Sequence, residues 1–501
     1  MKLSKKIFSL CLAALMLFSL SATAFAADGV TQTCPVIYVP GINTSTVYTD
    51  VNDLSTAARL PDEDTFLAVM KNDIIPAIIA YTQNSDSDAL AVVISSRFTP
   101  LFEDWFMENT GDPKEGSGVH NPLPSRVTAK STLTFQYDWR CDPVAVAEKL
   151  NDYINHITDK SGCDKVALSC HSLGSIIIIS YLAKYGNDKV SALVLDTPAC
   201  EGATYTGCLL SGDSTLNASA ITYFLENTLG KSETNDLMAS ILELFNVAGV
   251  PELFTLFFDK IIGDIAPVIY KEFLIPLLGC WPSIWALTPD AYIDGAMTYI
   301  FDDLMKDEDY SALREKIENY NKTVRARRDQ LLKDFDSEKN LAVISRYGFP
   351  SVPISDMGDL IGDYTIETRS SSLGATTAPV GTYFDDRYLV GKNMKYISPD
   401  RTVDASTCLF PEKTWFIKNA THSMEVADPY YNYFLFAEEE LTCDTAIIGR
   451  FTLYDSESQT LTEDTTEPVK AEKESPIDSL VAFIKNLIER IGNFFKALFR
   501  K

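Results

Sequence analysis

Histidine is the scarce residue of this chain: 501 residues hold only His120, His156, His171 and His422. Chemistry that needs an imidazole therefore has few places to reside. The ten cysteines are widely spaced and include no Cys-x-x-Cys pair, which excludes a legible zinc motif or disulfide framework. Cys200 and Cys208 either close a small loop in an oxidising compartment or remain free buried thiols. Positive charge is also short, with Lys and Arg at 43 against Asp and Glu at 69 and a net charge of −26. No basic patch on the main body reverses this, so nucleic acid is not an expected partner. A long unbroken apolar run is missing too. Phe273 to Pro289 carries no charge, but Pro276, Pro282 and Pro289 interrupt it, and it is shorter than the roughly 20 residues a spanning helix requires. The acidic run Asp302, Asp303, Asp307, Glu308 and Asp309 lacks a calcium-loop pattern and reads as a solvated helix end. No metal or cofactor is expected.

What the sequence does contain begins with a leader at residues 1–26. Lys2, Lys5 and Lys6 precede the apolar stretch Ile7 to Leu20, and Ala24-Phe25-Ala26 offers a small-residue cleavage site. The expected destination is secretion. Beyond it, Cys34 to Gly41, Thr132 to Tyr137, Asp164 to Ser169 and Val190 to Leu195 read as strands. Pro143 to about Thr158 reads as an amphipathic helix, with Val144, Val146, Leu150, Ile154 and Ile157 as its apolar positions. This alternation predicts a mostly parallel sheet covered on both faces. Residues 53–124 show no clear period. From about Cys200 to Asn340 the pattern becomes helical, including a charged helix from Ala312 to Phe335. Strand signals return at Leu341 to Tyr347 and Thr414 to Lys418.

The expected division is thus a sheet domain at 27–199 and 341–454, interrupted by a helical cap at 200–340. An acidic disordered linker follows at 455–475, then a basic amphipathic helix at 476–501. Such a helix either attaches to a membrane surface, docks on its own domain or self-associates.

Cys170-His171-Ser172-Leu173-Gly174 lies between an expected strand and an expected helix. It has the form of a nucleophile elbow with Cys170 where glycine is usual. A serine needs a base, and only His422 follows Ser172 and sits just past a strand. Asp196, at a strand end, and Asp400, in Ser398-Pro399-Asp400, are both placed to orient it, with Asp404 a weaker third. Backbone N–H groups of Leu173 and Ile42 are placed to bind an oxyanion.

Several strings together resemble the lecithin:cholesterol acyltransferase and lysosomal phospholipase A family. They are Pro35-Val36-Ile37-Tyr38-Val39-Pro40-Gly41, Tyr137-Asp138-Trp139-Arg140, His171-Ser172-Leu173-Gly174, Ser211-Gly212-Asp213, Trp281-Pro282-Ser283-Ile284-Trp285-Ala286-Leu287 and Asp400-Arg401-Thr402-Val403, followed by His422. The chain departs from the family's pattern at Cys170, Ile42 and Arg401. The resemblance implies an α/β-hydrolase fold with a cap, a Ser172–Asp400–His422 triad, and acyl transfer from a lipid or phospholipid to water or an alcohol. A serine esterase or peptidase acting on soluble substrates, or a non-catalytic binding protein on the same scaffold, remain the alternatives.

Overall fold

The computed structural model describes residues 30–213, 262–352, 360–424, 428–437 and 441–468. The leader, residues 214–261 of the expected cap, the end of the expected linker and the helix expected at 476–501 lie outside them.

Eight strands build one sheet: β1 (Val36–Val39), β2 (Thr132–Thr134), β3 (Val166–His171), β4 (Val190–Asp196), β5 (Asn340–Tyr347), β6 (Thr414–Lys418), β7 (Phe451–Asp455) and β8 (Thr460–Glu463). Their order is β8-β7-β6-β5-β4-β3-β1-β2. All neighbours are parallel except β7 and β8. The chain runs from β1 to β2 on one side and then crosses to β3 on the other. The crevice at the carboxyl ends of β1 and β3 is therefore a topological switch point, where open α/β sheets hold their ligands.

Period-two alternation divides the core between the two faces. Leu168 and Cys170, Leu193 and Leu195, and Leu341 and Val343 turn toward the cluster that contains helices α1 (Pro143–Ser161) and α2 (Gly174–Tyr185). Ala167, Ala192, Val194, Ala342, Ile344, Trp415 and Ile417 turn the other way, toward Tyr431, Phe434 and Leu435. Each large apolar side chain buried this way contributes about 1.5–3 kcal/mol. Helix α1 starts where Asp142 accepts from the Val144 N–H at 3.0 Å and ends at left-handed Gly162. Helix α2 is apolar on all sides because the sheet and neighbouring helices surround it; Ile176 to Ile179 are all buried.

Between β4 and β5 come α3 (Thr204–Ser211), helical residues 262–304, α4 (Ser311–Thr323) and α5 (Arg328–Glu338). The last helix described, α6 (Asp428–Phe436), follows β6. A second helical stretch lies at 63–105, the region whose sequence shows no period. It packs on the first: Phe273 meets Phe98 and Phe102 at ring-centroid distances of 4.8 and 5.2 Å, and the Thr99 hydroxyl donates to the Glu272 carbonyl at 2.7 Å. The apolar layer is thus assembled from two separate insertions.

Two expectations need correction. The charged helix from Ala312 to Phe335 is broken at Val324–Arg327. The break turns Arg325 inward, where its guanidinium donates to the carbonyls of Trp285, Ala286 and Thr288. Those carbonyls end a short helix, Pro282–Ala286, and need donors. The expected disordered linker is structured over its first part: β7 ends at Asp455 and β8 returns antiparallel to it. Asp455 holds the turn by accepting from the Glu457 N–H and the Ser458 hydroxyl. An edge strand exposed on one side needs little apolar patterning, so Leu461 alone carried too weak a signal. Among the described residues no helix is long and apolar enough to cross a membrane.

The parallel order, the strand–turn–helix at β3 and α2, and the helical insertions make this an α/β-hydrolase fold.

Candidate active site

Ser172 stands at the tip of the β3–α2 turn with φ +54°, a left-handed conformation that costs a non-glycine residue free energy. The surroundings fix it there. Its N–H donates to the Asp196 carbonyl at 3.1 Å, and its carbonyl accepts from the Ser175 and Ala199 N–H groups at 3.0 and 3.2 Å. Ser175 Oγ adds a third bond to that carbonyl, at 2.8 Å. Gly174 is required because a Cβ there would lie 2.0 Å from the Val39 carbonyl oxygen. Cys170, the departure from the elbow pattern, is accommodated in the sheet opposite Val39 and Leu195. Burial, helped by Cys200 and Asp196 nearby, pushes its thiol well above the usual range. It therefore stays protonated and does not compete as a nucleophile.

His422 comes to the serine from the loop after β6, and its Nε2 lies 2.9 Å from Ser172 Oγ. On its other side Nδ1 lies 2.8 Å from Asp363 Oδ2. That carboxylate is none of the three weighed from sequence. Asp363 sits just past a two-residue strand, Ile361–Gly362, on the excursion that follows β5. Its Oδ1 accepts from the N–H groups of Thr365 and Ile366 at 3.0 and 2.7 Å, and its carbonyl accepts from the His422 N–H at 2.9 Å. Burial alone would raise its pKa. His422, the Ile366 N–H and Arg346 outweigh this and hold it below the ordinary carboxylate value, so it is ionised near neutrality.

The structure places Asp400 elsewhere. Its Oδ2 pairs with Lys418 Nζ at 2.6 Å, and Oδ1 accepts from Ser398 Oγ, Thr402 N and Thr402 Oγ1. It secures the end of β6 rather than the imidazole. Asp404 accepts from Tyr388 and Lys392. Asp196 is buried beside Arg346 and Tyr431, which both donate to its Oδ2. The string expected at Asp400 has a looser copy, Asp363-Tyr364-Thr365-Ile366, with isoleucine for valine. That second copy was the available signal. Of the other histidines, His156 Nε2 bonds the Pro124 carbonyl and His120 is exposed.

Leu173 and Ile42 both flank Ser172. Gly41 packs so close that a Cβ there would lie 2.9 Å from Ser172 Cβ, which brings the Ile42 loop against Ser172. Neither N–H donates to another described backbone group. Tyr137 and Trp139 hold this loop: the Tyr137 hydroxyl donates to the Pro40 carbonyl at 2.6 Å and Trp139 Nε1 to the Ser45 carbonyl at 3.1 Å. Arg140 forms a buried two-point pair with Asp138. Cys200 and Cys208, like the other cysteines described, are free.

No family model matches the chain, and no curated protein sequence does either. Among solved structures it is similar to a chain of the Tle4–Tli4 complex, at 15% identity over 36% of this chain and 48% of that one, with a TM-score of 0.20. It is also similar to a thermophilic esterase from Thermogutta terrifontis with malate bound, at 12% identity over 60% and 79% and a TM-score of 0.16. A third is the haloalkane dehalogenase DatA from Agrobacterium tumefaciens C58, at 11% identity over 57% and 76% and a TM-score of 0.16. The chain thus spans about half the length of the first of these. The fold assignment rests on the sheet order and the elbow, not on such distant likenesses.

Proposed function

We propose that this protein is a secreted serine-dependent acyl-ester enzyme acting on lipids, with Ser172, His422 and Asp363 as its catalytic residues. The observation that carries the reading is the unbroken chain from Ser172 Oγ through both ring nitrogens of His422 to the ionised Asp363 carboxylate. Ser172 Oγ attacks the ester carbonyl while His422 Nε2 takes its proton. Asp363 keeps the proton on Nδ1 and stabilises the imidazolium. The N–H groups of Leu173 and Ile42 stabilise the oxyanion. Nε2 then returns the proton to the departing alcohol, leaving the acyl group on Ser172. Water or an acceptor alcohol gives its proton to Nε2 and takes the acyl group, and Nε2 passes that proton to the released Ser172 Oγ.

Two features support a lipid acyl chain. Ile42 and Leu173 belong to one apolar cluster with Trp281, Ile284, Phe273 and Phe102, so the core that carries both oxyanion donors is continuous with the aromatic and aliphatic side chains of the helical stretches. The strings shared with the lecithin:cholesterol acyltransferase and lysosomal phospholipase A family add to this, since Tyr137 and Trp139 steady the loop that carries Ile42. Ser172 and His422 are buried, at 3% and 1% exposure. The basic helix expected at 476–501 would supply contact with a lipid surface.

The test is acyl release from phospholipid vesicles, with and without a long-chain alcohol. Free fatty acid, or an alkyl ester when the alcohol is present, is expected from wild type and is lost in Ser172→Ala. Release from dissolved short esters alone would overturn the lipid assignment. A folded wild type that a fluorophosphonate does not label would overturn the enzyme itself. Deleting residues 476–501 is expected to reduce vesicle sedimentation, and unchanged sedimentation would remove the surface contact.

A further inference from the structure

The main-chain carbonyl of His422 is gripped from two sides. His171 Nε2 lies 2.8 Å from that oxygen, and because a carbonyl only accepts, Nε2 carries the proton. Arg346 Nη1 donates to the same oxygen and to the Thr421 carbonyl. Arg346 Nη2 reaches Asp196 Oδ2 at 2.9 Å, and the Tyr431 hydroxyl donates to that oxygen at 2.8 Å. Arg346 and Asp196 are buried, and a buried ion pair broken on one side costs about 3–5 kcal/mol. This cluster is therefore a rigid seat.

His171 also touches the opposite half of the site. A Cβ on Gly41 would lie 3.3 Å from His171 Nδ1, and the His171 and His422 ring centroids are 4.6 Å apart. Its side chain thus fills the space between the Ile42 loop and the histidine loop.

We infer that His171 is a positioning residue: held with Arg346 on the Asp196–Tyr431 pair, it sets the His422 imidazole against Ser172 Oγ and braces the Ile42 loop. The inference rests on the triad reading proposed above. The groups facing His171 are His422 and Arg346, with Asp196 behind Arg346. Burial, reinforced by the neighbouring His422 and Arg346 side chains, lowers its pKa well below the usual histidine range. A neutral His171 lets His422 become an imidazolium 4.6 Å away without like-charge repulsion.

His171→Phe keeps a planar ring and removes the donor, whereas His171→Asn keeps a donor on a shorter side chain. A displacement of the imidazole by about 1 Å costs on the order of a hundredfold in rate. The expected result for His171→Phe is kcat down about a hundredfold with KM within twofold, and a slower fluorophosphonate reaction to match. His171→Asn is expected to recover about tenfold of that loss. His171→Lys, which places a fixed cation beside His422, is expected to move the acid limb of the kcat/KM pH profile to lower pH. Circular dichroism and thermal melting accompany each variant; if His171→Phe does not fold, the Asn and Lys variants carry the test. Phe and Asn variants as fast as wild type, or Lys with an unmoved pH limb, would overturn the inference alone. A wild type inert to the probe would overturn it together with the triad reading.

Discussion

Asp363 and Asp400 use one local device for two ends. In each, Oδ1 closes the residue's own turn, on the Thr365 and Ile366 N–H groups in one case and the Thr402 N–H in the other. Closing the turn leaves Oδ2 aimed at a single external partner, His422 Nδ1 for Asp363 and Lys418 Nζ for Asp400. The partner, not the motif, decides what each carboxylate does. Asp363→Asn keeps the shape of the turn but favours the wrong imidazole tautomer, and the expected loss in kcat is about 10⁴-fold with folding intact. Asp400→Asn leaves Lys418 without its carboxylate in a site only about a tenth exposed. The expected cost is about 2–3 kcal/mol of stability, read by urea unfolding, with kcat changed by less than about tenfold. A larger kcat loss in Asp400→Asn than in Asp363→Asn would return the triad role to Asp400.

At the scale of elements, what could be read from sequence was whatever repeats locally. The period of α1, its start at Pro143, and the apolar runs of β1, β3, β4, β5 and β6 need no knowledge of the rest of the chain. The elbow was legible as well, since Ser172, Leu173 and Gly174 are three residues in one turn, and the rarity of histidine singled out His422. The acid was not. Asp363 and Asp400 present the same short form, and only the path of the chain after β5, set by tertiary packing, brings one of them to the imidazole. Residues 63–105 escaped for a related reason: their apolar partners, such as Phe273, lie far along the chain, and their own period is weak. The elbow also gives the clearest element-scale prediction. A Gly174→Ala methyl would meet the Val39 carbonyl at 2.0 Å, and neither β1 nor α2 has room to retreat from the core. The expected result is a loss of well over about 1 kcal/mol, seen as a lower thermal midpoint or insoluble protein. A fully stable Gly174→Ala would show that the elbow is looser than this packing.

For the whole molecule, acidity concentrates attention on carboxylates that folding removes from water. Glu201 follows β4 and faces α5 through Arg328, whose Nη2 lies 3.4 Å from its Oε1. Arg328 also donates to the Cys200 carbonyl at 3.2 Å, so this is one of the joints between the sheet and the helices of the insertion. Burial raises Glu201 from an ordinary 4.5 to about 7; Arg328 opposes the shift and Asp329 adds to it. The folded protein therefore keeps a proton that the unfolded chain has lost across the window from 4.5 to about 7. Where the folded state binds more protons, stability falls as pH rises. This contribution is present in full below 4.5 and is lost through the window. With a quarter of the side chain exposed, the loss is at most about 2 kcal/mol. Glu201→Gln cannot ionise. Measured by urea unfolding at pH 5 and pH 8, wild type is expected to lose up to about 2 kcal/mol relative to Glu201→Gln between the two. Parallel pH dependence in the two proteins would mean that Arg328 neutralises Glu201 fully in the folded state and that the joint does not respond to pH.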